Sequence, residues 1–446
     1  MTDSPMLSAK QVRAGRALLA WSQQELAKKA GVAASTLADF ERGQRTPVPN
    51  NAQAIKGALE RAGLTFPAGG AVEGVLLPVL GSTTKSGNAI RWITQTDIAQ
   101  WAERRDGQSV MPILLSKLVR ASGSSSMHFP SDEAVQHSGW DGESHAYEDT
   151  QYVPAGASGW EIGTQRNNIA SKANEDYLKR TNDPLHLVQS ESTFIFVTPR
   201  PWPEKEKWAI VKRAEGVWAD VRVYDGSDLV HWIETFPAVG HWLASYLGKR
   251  PLGTLQLEEV WQEWSLATQW ALSTDLILSD RDDSSVAILS WLRSAPAHEE
   301  LQGDTAEEVC AFLYAAISQL PEHVSQHYLA RCLVATAAEQ ARRLADSTSP
   351  MIIVLIDPKP GLAQAIARKG HHVLCAYGSS SPVINAKKLQ RPSRDGMRSA
   401  LSASGVPEKE AERFARESSR SLAILRRLRA GETGSVPNWA RTPPPR

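Results

Sequence analysis

Three carboxylates follow one another in the middle of this chain, each in a setting where acids are uncommon. Glu133 lies in "FPSDEAVQ", Asp141 in the Trp-Gly turn "SGWDGE", and Glu161 in the apolar stretch "GWEIGT". Acidic side chains are seldom buried alone, so acids at the edges of strands call for a partner. Mg²⁺ is such a partner because it prefers hard oxygen ligands. We therefore predict that Glu133, Asp141 and Glu161 share one Mg²⁺.

The chemistry that such a site supports is attack on a phosphodiester. A bound Mg²⁺ polarises the phosphodiester, stabilises the leaving oxygen and lowers the pKa of an attacking water. A lysine near the site would add stabilisation of the transition state.

A purely structural role for the acids is the alternative. Asp141 could accept hydrogen bonds from backbone amides in its Gly-rich turn, and Glu161 could pair with Arg166 or Lys172. For either acid taken alone, this alternative is the simpler interpretation. The three acids taken together favour the metal site.

The segments around the acids alternate between helix and strand patterns. "QSVMPILLSKLVRAS" has a helical period, "TFIFVTPR" is rich in β-branched and aromatic residues, and "DVRVYDGSDLVHWI" indicates strand, turn and helix. These patterns predict an α/β domain with Glu161 on a central strand and Asp141 at the end of its neighbour.

The order of the three acids resembles the PD-(D/E)xK nuclease superfamily, in particular its Mrr-like restriction branch. The resemblance implies a restriction-endonuclease-like fold, bound Mg²⁺ and hydrolysis of DNA. Gly163 stands two positions after Glu161, where the family has its lysine. In some members the lysine has moved to the following helix, where "NNIASKANEDYLKRT" offers Lys172, with Lys179 further away. Gln165 is a weaker substitute, as a hydrogen-bond donor. The resemblance thus implies a catalytic set of Glu133, Asp141, Glu161, Lys172 and Gln165.

The amino-terminal segment carries two short helix patterns joined by a turn at Gly31. Ser22 and Glu25 are spaced as a capping box at the start of the first helix, and "VAASTLADFERG" supplies the second. Residues 1–67 contain nine Lys or Arg against five Asp or Glu, although the whole chain balances 49 against 49. The pattern predicts a helix-turn-helix, whose second helix enters the major groove of DNA.

The stretch "SQQELAKKAGVAASTLADFERGQRTP" resembles the Cro/repressor-type (XRE) helix-turn-helix family. The resemblance implies a partner, double-stranded DNA, that a homodimer or higher homo-oligomer binds. The alternative is a helical bundle for protein binding or dimerisation. The implied DNA contacts are Gln23, Arg42 and Arg45 to phosphates, and Ala34, Ser35, Thr36 and Asp39 to base edges.

The carboxyl-terminal part contains two buried-strand candidates, "MIIVLID" and "HHVLCAYG", with a helix between them. "RPSRDGMRSALSASGVPEKEAERFARESSRSLAILRRL" resembles the later part of STAND-type ATPases of bacterial defence proteins. A working P-loop needs a Gly-rich loop that ends in Gly-Lys-Ser or Gly-Lys-Thr, and the chain has none. We predict an α/β P-loop-like domain without Walker A.

Together these patterns predict a multidomain chain of α and α/β type. The domains that we expect are the helix-turn-helix bundle over 1–67, a linker over 68–89, the nuclease-like domain over 90–252, the degenerate ATPase-like domain over 253–435, and a disordered tail over 436–446.

The remaining composition narrows the class of protein. No apolar run is long enough for a membrane span or a signal peptide, so we expect a cytoplasmic protein with no membrane partner. Three separated cysteines, without a Cys-x-x-Cys pair, support neither a zinc site nor a disulfide framework. We predict a DNA-binding, Mg²⁺-dependent endonuclease of an anti-phage defence or restriction type. The alternative is a non-enzymatic repressor with inactive nuclease-like and ATPase-like sensor domains.

Overall fold

The computed structural model describes residues 8–18, 21–45, 47–61, 91–104, 107–130, 139–249, 251–268, 270–383 and 385–430. Glu133, the expected linker 68–89 and the expected tail 436–446 lie outside these residues. Internal contacts divide the described chain into two compact units. One holds the amino-terminal helices together with residues 286–295, and the other holds both β-sheets.

The amino-terminal segment is helical, as its pattern predicts. Ser22 and Glu25 form the capping box, since the Ser22 amide donates to the Glu25 carboxylate at 2.6 Å and the Glu25 amide to Ser22 Oγ at 3.2 Å. Gly31 ends the first motif helix with φ of 66°, a left-handed conformation that favours glycine. The helices are α1 Ala9–Leu18, α2 Gln23–Ala30, α3 Ala34–Glu41 and α4 Pro49–Arg61. Their apolar faces bury Val12, Leu26, Leu37, Phe40, Ile55 and Leu59 in one core.

A five-stranded sheet forms the first α/β part. Its strands lie in chain order: β1 Ser124–His128, β2 Gly142–Ala146, β3 Gly156–Ile162, β4 Ser192–Val197 and β5 Asp220–Tyr224. Strands β1 to β3 are antiparallel neighbours, whereas β3, β4 and β5 run parallel. The surrounding helices are α5 Gln95–Trp101, α6 Gly107–Ala121, α7 Ile169–Asn182, α8 Lys205–Ala214, α9 Gly226–Thr235 and α10 Pro237–Tyr246.

The alternation of strand side chains decides which face each residue serves. Trp160 belongs to the core that includes Trp232 of α9. On the opposite face, Phe194 and Phe196 of β4 pack with Tyr177 of α7. Because successive side chains of a strand point to opposite faces, Glu161 lies on the face that α7 covers.

A second sheet of six strands follows in the chain. The strands are β6 Thr254–Gln256, β7 His298–Gln302, β8 Cys332–Ala335, β9 Ile352–Ile356, β10 His372–Tyr377 and β11 Lys387–Lys388. Their order is β11-β7-β10-β9-β8-β6, and only β6 is antiparallel to its neighbour. The described part is therefore a multidomain α and α/β structure, as the sequence predicts.

The remaining helices lie among the strands of the second sheet and after it. They are α11 Leu257–Leu266, α12 Thr274–Leu278, α13 Asp282–Leu292, α14 Ala306–Ser318, α15 Glu322–Leu329, α16 Ala338–Leu344, α17 Leu362–Ala367, α18 Arg394–Ala403, α19 Glu408–Glu417 and α20 Leu422–Ala430. Cys310, Cys332 and Cys375 are buried free thiols, which agrees with the sequence interpretation.

Candidate functional site

Asp141 and Glu161 meet across the antiparallel pair β2 and β3. The register of β2 and β3 pairs Gly142 with Trp160. The same register, continued by one residue beyond this pair, places Asp141 opposite Glu161. Residues directly opposite one another have Cα atoms about 4.5–5.5 Å apart. Asp141 Oδ2 accepts a hydrogen bond from the Ile162 amide at 2.8 Å, which fixes this carboxylate beside β3. The structure thus brings together two of the three predicted acids, and it also gives Asp141 the backbone contact of the structural alternative.

Glu161 is buried, at 3% exposure, and it has a cationic partner that the sequence did not reveal. Arg180 Nε donates to Glu161 Oε1, and Arg180 Nη2 donates to the Gly139 carbonyl oxygen. The Arg180 guanidinium also lies 4.8 Å from the ring centroid of Trp140. Burial, and next the charge of Asp141, raise the pKa of Glu161 to about 8.

The structural alternative offered Arg166 or Lys172 as the partner of Glu161, whereas the structure pairs Glu161 with Arg180. The physical reason is the position of α7, which begins at Ile169 and carries Arg180 over the strand. Arg166 precedes this helix, and its Nε lies 3.8 Å from Glu103 Oε1. Arg180 reaches Glu161 because both side chains lie between the sheet and α7.

Lys172 lies on the same face of α7 as Asp176 and Arg180. The three residues are spaced at i, i+4 and i+8, a helical spacing that stacks side chains on one face. Lys172 Nζ donates to Asp176 Oδ1 at 2.5 Å. Burial disfavours the charged form of Lys172, yet the hydrogen bond to Asp176 and the charges of Asp176, Glu161 and Asp141 raise its pKa. Lys172 thus contacts Asp176 directly and lies within electrostatic range of Asp141 and Glu161.

Asp176 is the third carboxylate of this group, which we call the acidic cluster: Asp141, Glu161 and Asp176 with the cations Lys172 and Arg180. Asp176 is 3% exposed, and its Oδ2 has no hydrogen-bond partner among the described residues. Burial, against the hydrogen bond from Lys172, raises the pKa of Asp176. Because the pKa of Glu161 is raised to about 8, this acid keeps its proton at neutral pH, and the carboxylates of Asp141 and Asp176 face the two cations Lys172 and Arg180.

The fit of a divalent cation to this cluster is partial in the conformation described. Within the described ranges, no three His, Cys, Asp or Glu side chains are grouped closely enough to hold a metal ion. Glu133, the third predicted ligand, lies outside those ranges. The oxygen of Asp176 without a hydrogen-bond partner suits a hard cation, whereas Lys172 and Arg180 already supply two positive charges to the cluster. Arg180 competes with such a cation for Glu161.

Packing leaves little room for a side chain at Gly163. A Cβ atom there would lie 2.5 Å from Phe196 Cζ, which is closer than real Cβ contacts. Any larger residue at this position therefore requires Phe196 to shift. Gln165 stands in the connection between β3 and α7, which begins at Ile169.

The residues predicted to contact base edges all lie on α3. Ala34 and Ser35 are exposed, and Thr36 and Asp39 are half-buried. After α3, Arg42 and Arg45 are also exposed, and Arg42 Nη1 lies 4.0 Å from Asp39 Oδ1.

Gln23 lies at the start of α2, where a buried glutamate holds its side chain. Gln23 Nε2 donates to Glu41 Oε2 at 2.7 Å, and Arg16 Nε donates to Glu41 Oε1 at 2.9 Å. Glu41 and Arg16 were not among the predicted residues. They fix the side chain that the resemblance assigns to a phosphate contact.

Strand β7 of the second sheet leads into α14, which begins at Ala306. Thr305 Oγ1 caps this helix by accepting from the Glu308 amide at 3.2 Å, and Glu307 and Glu308 occupy its first turn. The Asp304 carboxylate accepts from Arg391 Nη2 at 2.7 Å. The helix start is therefore surrounded by acids, which disfavour an anion.

Comparison with known proteins assigns the amino-terminal helices. Residues 12–61 match the family described as helix-turn-helix. The chain therefore carries a helix-turn-helix DNA-binding domain of the XRE type. No curated protein matches the chain. No helix of the described ranges is both long and apolar enough to cross a membrane.

Proposed function

We propose that the protein is a DNA-binding, Mg²⁺-dependent endonuclease of a bacterial anti-phage defence or restriction type. The observation that carries the proposal is the register of β2 and β3, which sets Asp141 opposite Glu161 beside Lys172. In this proposal Asp141 and Glu161 hold the cation, and Glu133 adds a third carboxylate. The nuclease is a central α/β domain between the DNA reader and a degenerate ATPase-like domain.

The reaction adds water across one P–O bond of DNA. The phosphoryl group keeps the oxygen of the water, and the departing sugar oxygen takes up a proton. When bound, Mg²⁺ supplies Lewis-acid stabilisation of the phosphate oxygens and of the leaving oxygen. Lys172 stabilises the negative charge that develops on the phosphate, because its ammonium group is fixed in place by Asp176. Gln165 contributes a neutral hydrogen bond.

DNA binding belongs to the first unit in this proposal. The short side chains of Ala34, Ser35 and Thr36, with Asp39, meet base edges, so that direct reading of sequence is modest. Gln23, Arg42 and Arg45 contact phosphates. A homodimer or higher homo-oligomer would read two half-sites, as this class of motif commonly does.

A second candidate function is a non-enzymatic XRE-type repressor. The observation that favours it is the pairing of Arg180 with Glu161, which supplies a cation to the acid from within the chain. In this candidate, Lys172 and Arg180 balance the carboxylates permanently. The cluster then stabilises a sensor or oligomerisation domain and takes no Mg²⁺.

The test is cleavage of plasmid DNA by the full chain with Mg²⁺ or with EDTA. We expect Mg²⁺-dependent cleavage that Asp141→Asn abolishes, while binding to duplex DNA stays unchanged. Lys172→Met should lower the rate about 10²–10³-fold through loss of charge stabilisation. The matched control is Lys179→Met, which removes an exposed lysine from the same helix and should leave the rate unchanged.

Duplex binding without cleavage under any divalent cation would favour the repressor. Duplex binding should also weaken as salt rises, and Arg42→Ala with Arg45→Ala should make it less sensitive to salt. Equal salt dependence in this double variant would contradict the assignment of Arg42 and Arg45 to phosphates.

A further inference from the structure

Glu41 is a buried acid at the last position of α3, the second helix of the helix-turn-helix. Its side chain is 2% exposed, and it bonds to one side chain from each of the two preceding helices. From α1, Arg16 donates to both carboxylate oxygens, with Nε 2.9 Å from Oε1 and Nη2 3.2 Å from Oε2. From α2, Gln23 Nε2 donates to Oε2 at 2.7 Å. One carboxylate therefore joins α1, α2 and α3.

The Glu41 carboxylate also determines which way the amide group of Gln23 faces. An ionised carboxylate only accepts hydrogen bonds, so the NH₂ group of Gln23, and not its carbonyl oxygen, must face Glu41. The ion pair with Arg16 compensates the buried charge, and Arg16 Nη1 in turn donates to the Trp21 carbonyl oxygen at 2.9 Å. Gln23 Nε2 carries a second hydrogen, which remains for another acceptor.

Gln23 is the first residue of α2, where this class of motif meets the DNA backbone. The first helix of a helix-turn-helix crosses the backbone, and phosphate oxygens, like carboxylates, accept hydrogen bonds only. A Gln23 amide turned the other way would present its carbonyl oxygen to a phosphate and repel it. The orientation that Glu41 imposes is thus the one that a phosphate contact needs.

We propose that Glu41 is a positioning residue for DNA binding, which orients the Gln23 amide so that its second N–H bonds to a DNA phosphate. This inference rests on the proposed function, from which it takes the phosphate contact of Gln23, and it adds the residue that orients this contact. It does not depend on the nuclease site. Because Glu41 ends the helix that meets the base edges, it also ties the phosphate contact on α2 to that helix.

The test is a double-mutant cycle on the affinity of the full chain for a fluorescently labelled DNA duplex of mixed sequence, at one fixed salt concentration. A mixed sequence suffices because phosphate contacts do not depend on sequence. Glu41→Gln keeps the shape of the side chain but allows the Gln23 amide to turn. We expect it to weaken binding about two- to tenfold, the range for loss of one hydrogen bond. In the Gln23→Ala background, the same substitution should have no further effect.

A role of Glu41 in folding alone predicts a different result. Glu41→Gln would then weaken binding by the same factor with and without Gln23→Ala. That outcome would overturn the positioning role, while the phosphate contact of Gln23 stands. The matched control is Gln24→Ala, because Gln24 is the exposed neighbour of the same residue type on α2. This control should leave the effect of Glu41→Gln intact.

The single variant Gln23→Ala separates this inference from the proposed function. If it binds the duplex as tightly as the unchanged protein does, both the phosphate contact of Gln23 and the role of Glu41 are wrong. Thermal melting identifies a temperature at which every variant is folded. If Glu41→Gln is unfolded at the binding temperature, Glu41→Asp replaces it, because the shorter side chain keeps the charge but withdraws the carboxylate from Gln23. The same loss of effect in the Gln23→Ala background is then expected, and equal effects in both backgrounds would again overturn the proposal.

Discussion

Two buried Arg–Glu pairs, one beneath each sheet, differ in what surrounds them. In the second α/β part, Arg281 pairs with Glu308, and both side chains are almost fully buried. Arg281 also donates to the carbonyls of Ile277 and Gln390, while Glu308 Oε2 accepts from the Asp304 amide at 3.1 Å. The neighbouring carboxylate of Asp304 has its own cation, Arg391.

The pair of Arg180 and Glu161 is equally buried, but its neighbours are not balanced in the same way. Asp141 is held by a backbone amide, and Asp176 has an oxygen without a partner within the described ranges. A buried pair that completes its own hydrogen bonds stabilises a fold. The pair of Arg180 and Glu161, which lies among additional carboxylates, is the one that the proposed function places beside the cation.

The largest effect that we expect from this comparison is on stability. Arg281→Met leaves Glu308 buried without a counter-charge and should lower the free energy of unfolding by about 3–5 kcal/mol. Arg180→Met should lower it less, because Lys172 remains near Glu161 and Glu161 can take up a proton. Urea unfolding of both variants at neutral pH measures the two losses. Equal losses of the free energy of unfolding in the two variants would contradict the claim that the charges around the two Arg–Glu pairs are balanced differently.

A smaller effect that we expect is a dependence of the free energy of unfolding on pH in metal-free buffer. The pKa of Glu161 is about 8 in the folded protein, against about 4.3 for an unfolded chain. The folded state therefore keeps a proton that the unfolded chain releases. This contribution to stability is complete below about pH 4 and is lost as pH rises through about 8. We expect the free energy of unfolding to fall from pH 5 to pH 9 more steeply in the unchanged protein than in Glu161→Gln. Parallel pH profiles of the free energy of unfolding in the two proteins would contradict the raised pKa that we assign to Glu161.

The smallest expected effect is at the second sheet, where we predict no binding of ATP. Asp304, Glu307 and Glu308 surround the start of α14, and no lysine of a P-loop is present to meet the phosphates. Calorimetric titration of the full chain with Mg²⁺ and ATP should give no saturable heat. Saturable binding that Asp304→Arg changes would overturn this prediction.

Local sequence patterns predicted the helices and strands better than they predicted which side chains contact one another. The capping box at Ser22, the strand "TFIFVTPR" and the pair of strands "MIIVLID" and "HHVLCAYG" are all present, since short-range spacing determines them. The pairing of β2 with β3 follows from tertiary packing, yet the two acids at its end were found because they interrupt apolar stretches.

The side chains that α7 contributes to the acidic cluster were only partly predictable from the sequence. Lys172 was found, whereas Asp176 and Arg180 were missed, although their spacing from Lys172 marks one face of a helix. Arg180 is nineteen positions from Glu161, and nothing in the sequence selects it over Arg166. The contact depends on how α7 crosses the sheet. The clash between Gly163 and Phe196 likewise becomes visible only when β4 is placed beside β3.

The most direct test of the central claim is a crystal of the full chain soaked in Mn²⁺, with diffraction recorded at the manganese absorption edge. The account predicts an anomalous peak about 2.0–2.3 Å from carboxylate oxygens of Asp141 and Glu161, with Arg180 released from Glu161. Absence of a peak, with Arg180 still bonded to Glu161, would contradict the claim and leave the acidic cluster as a structural device of a DNA-binding regulator.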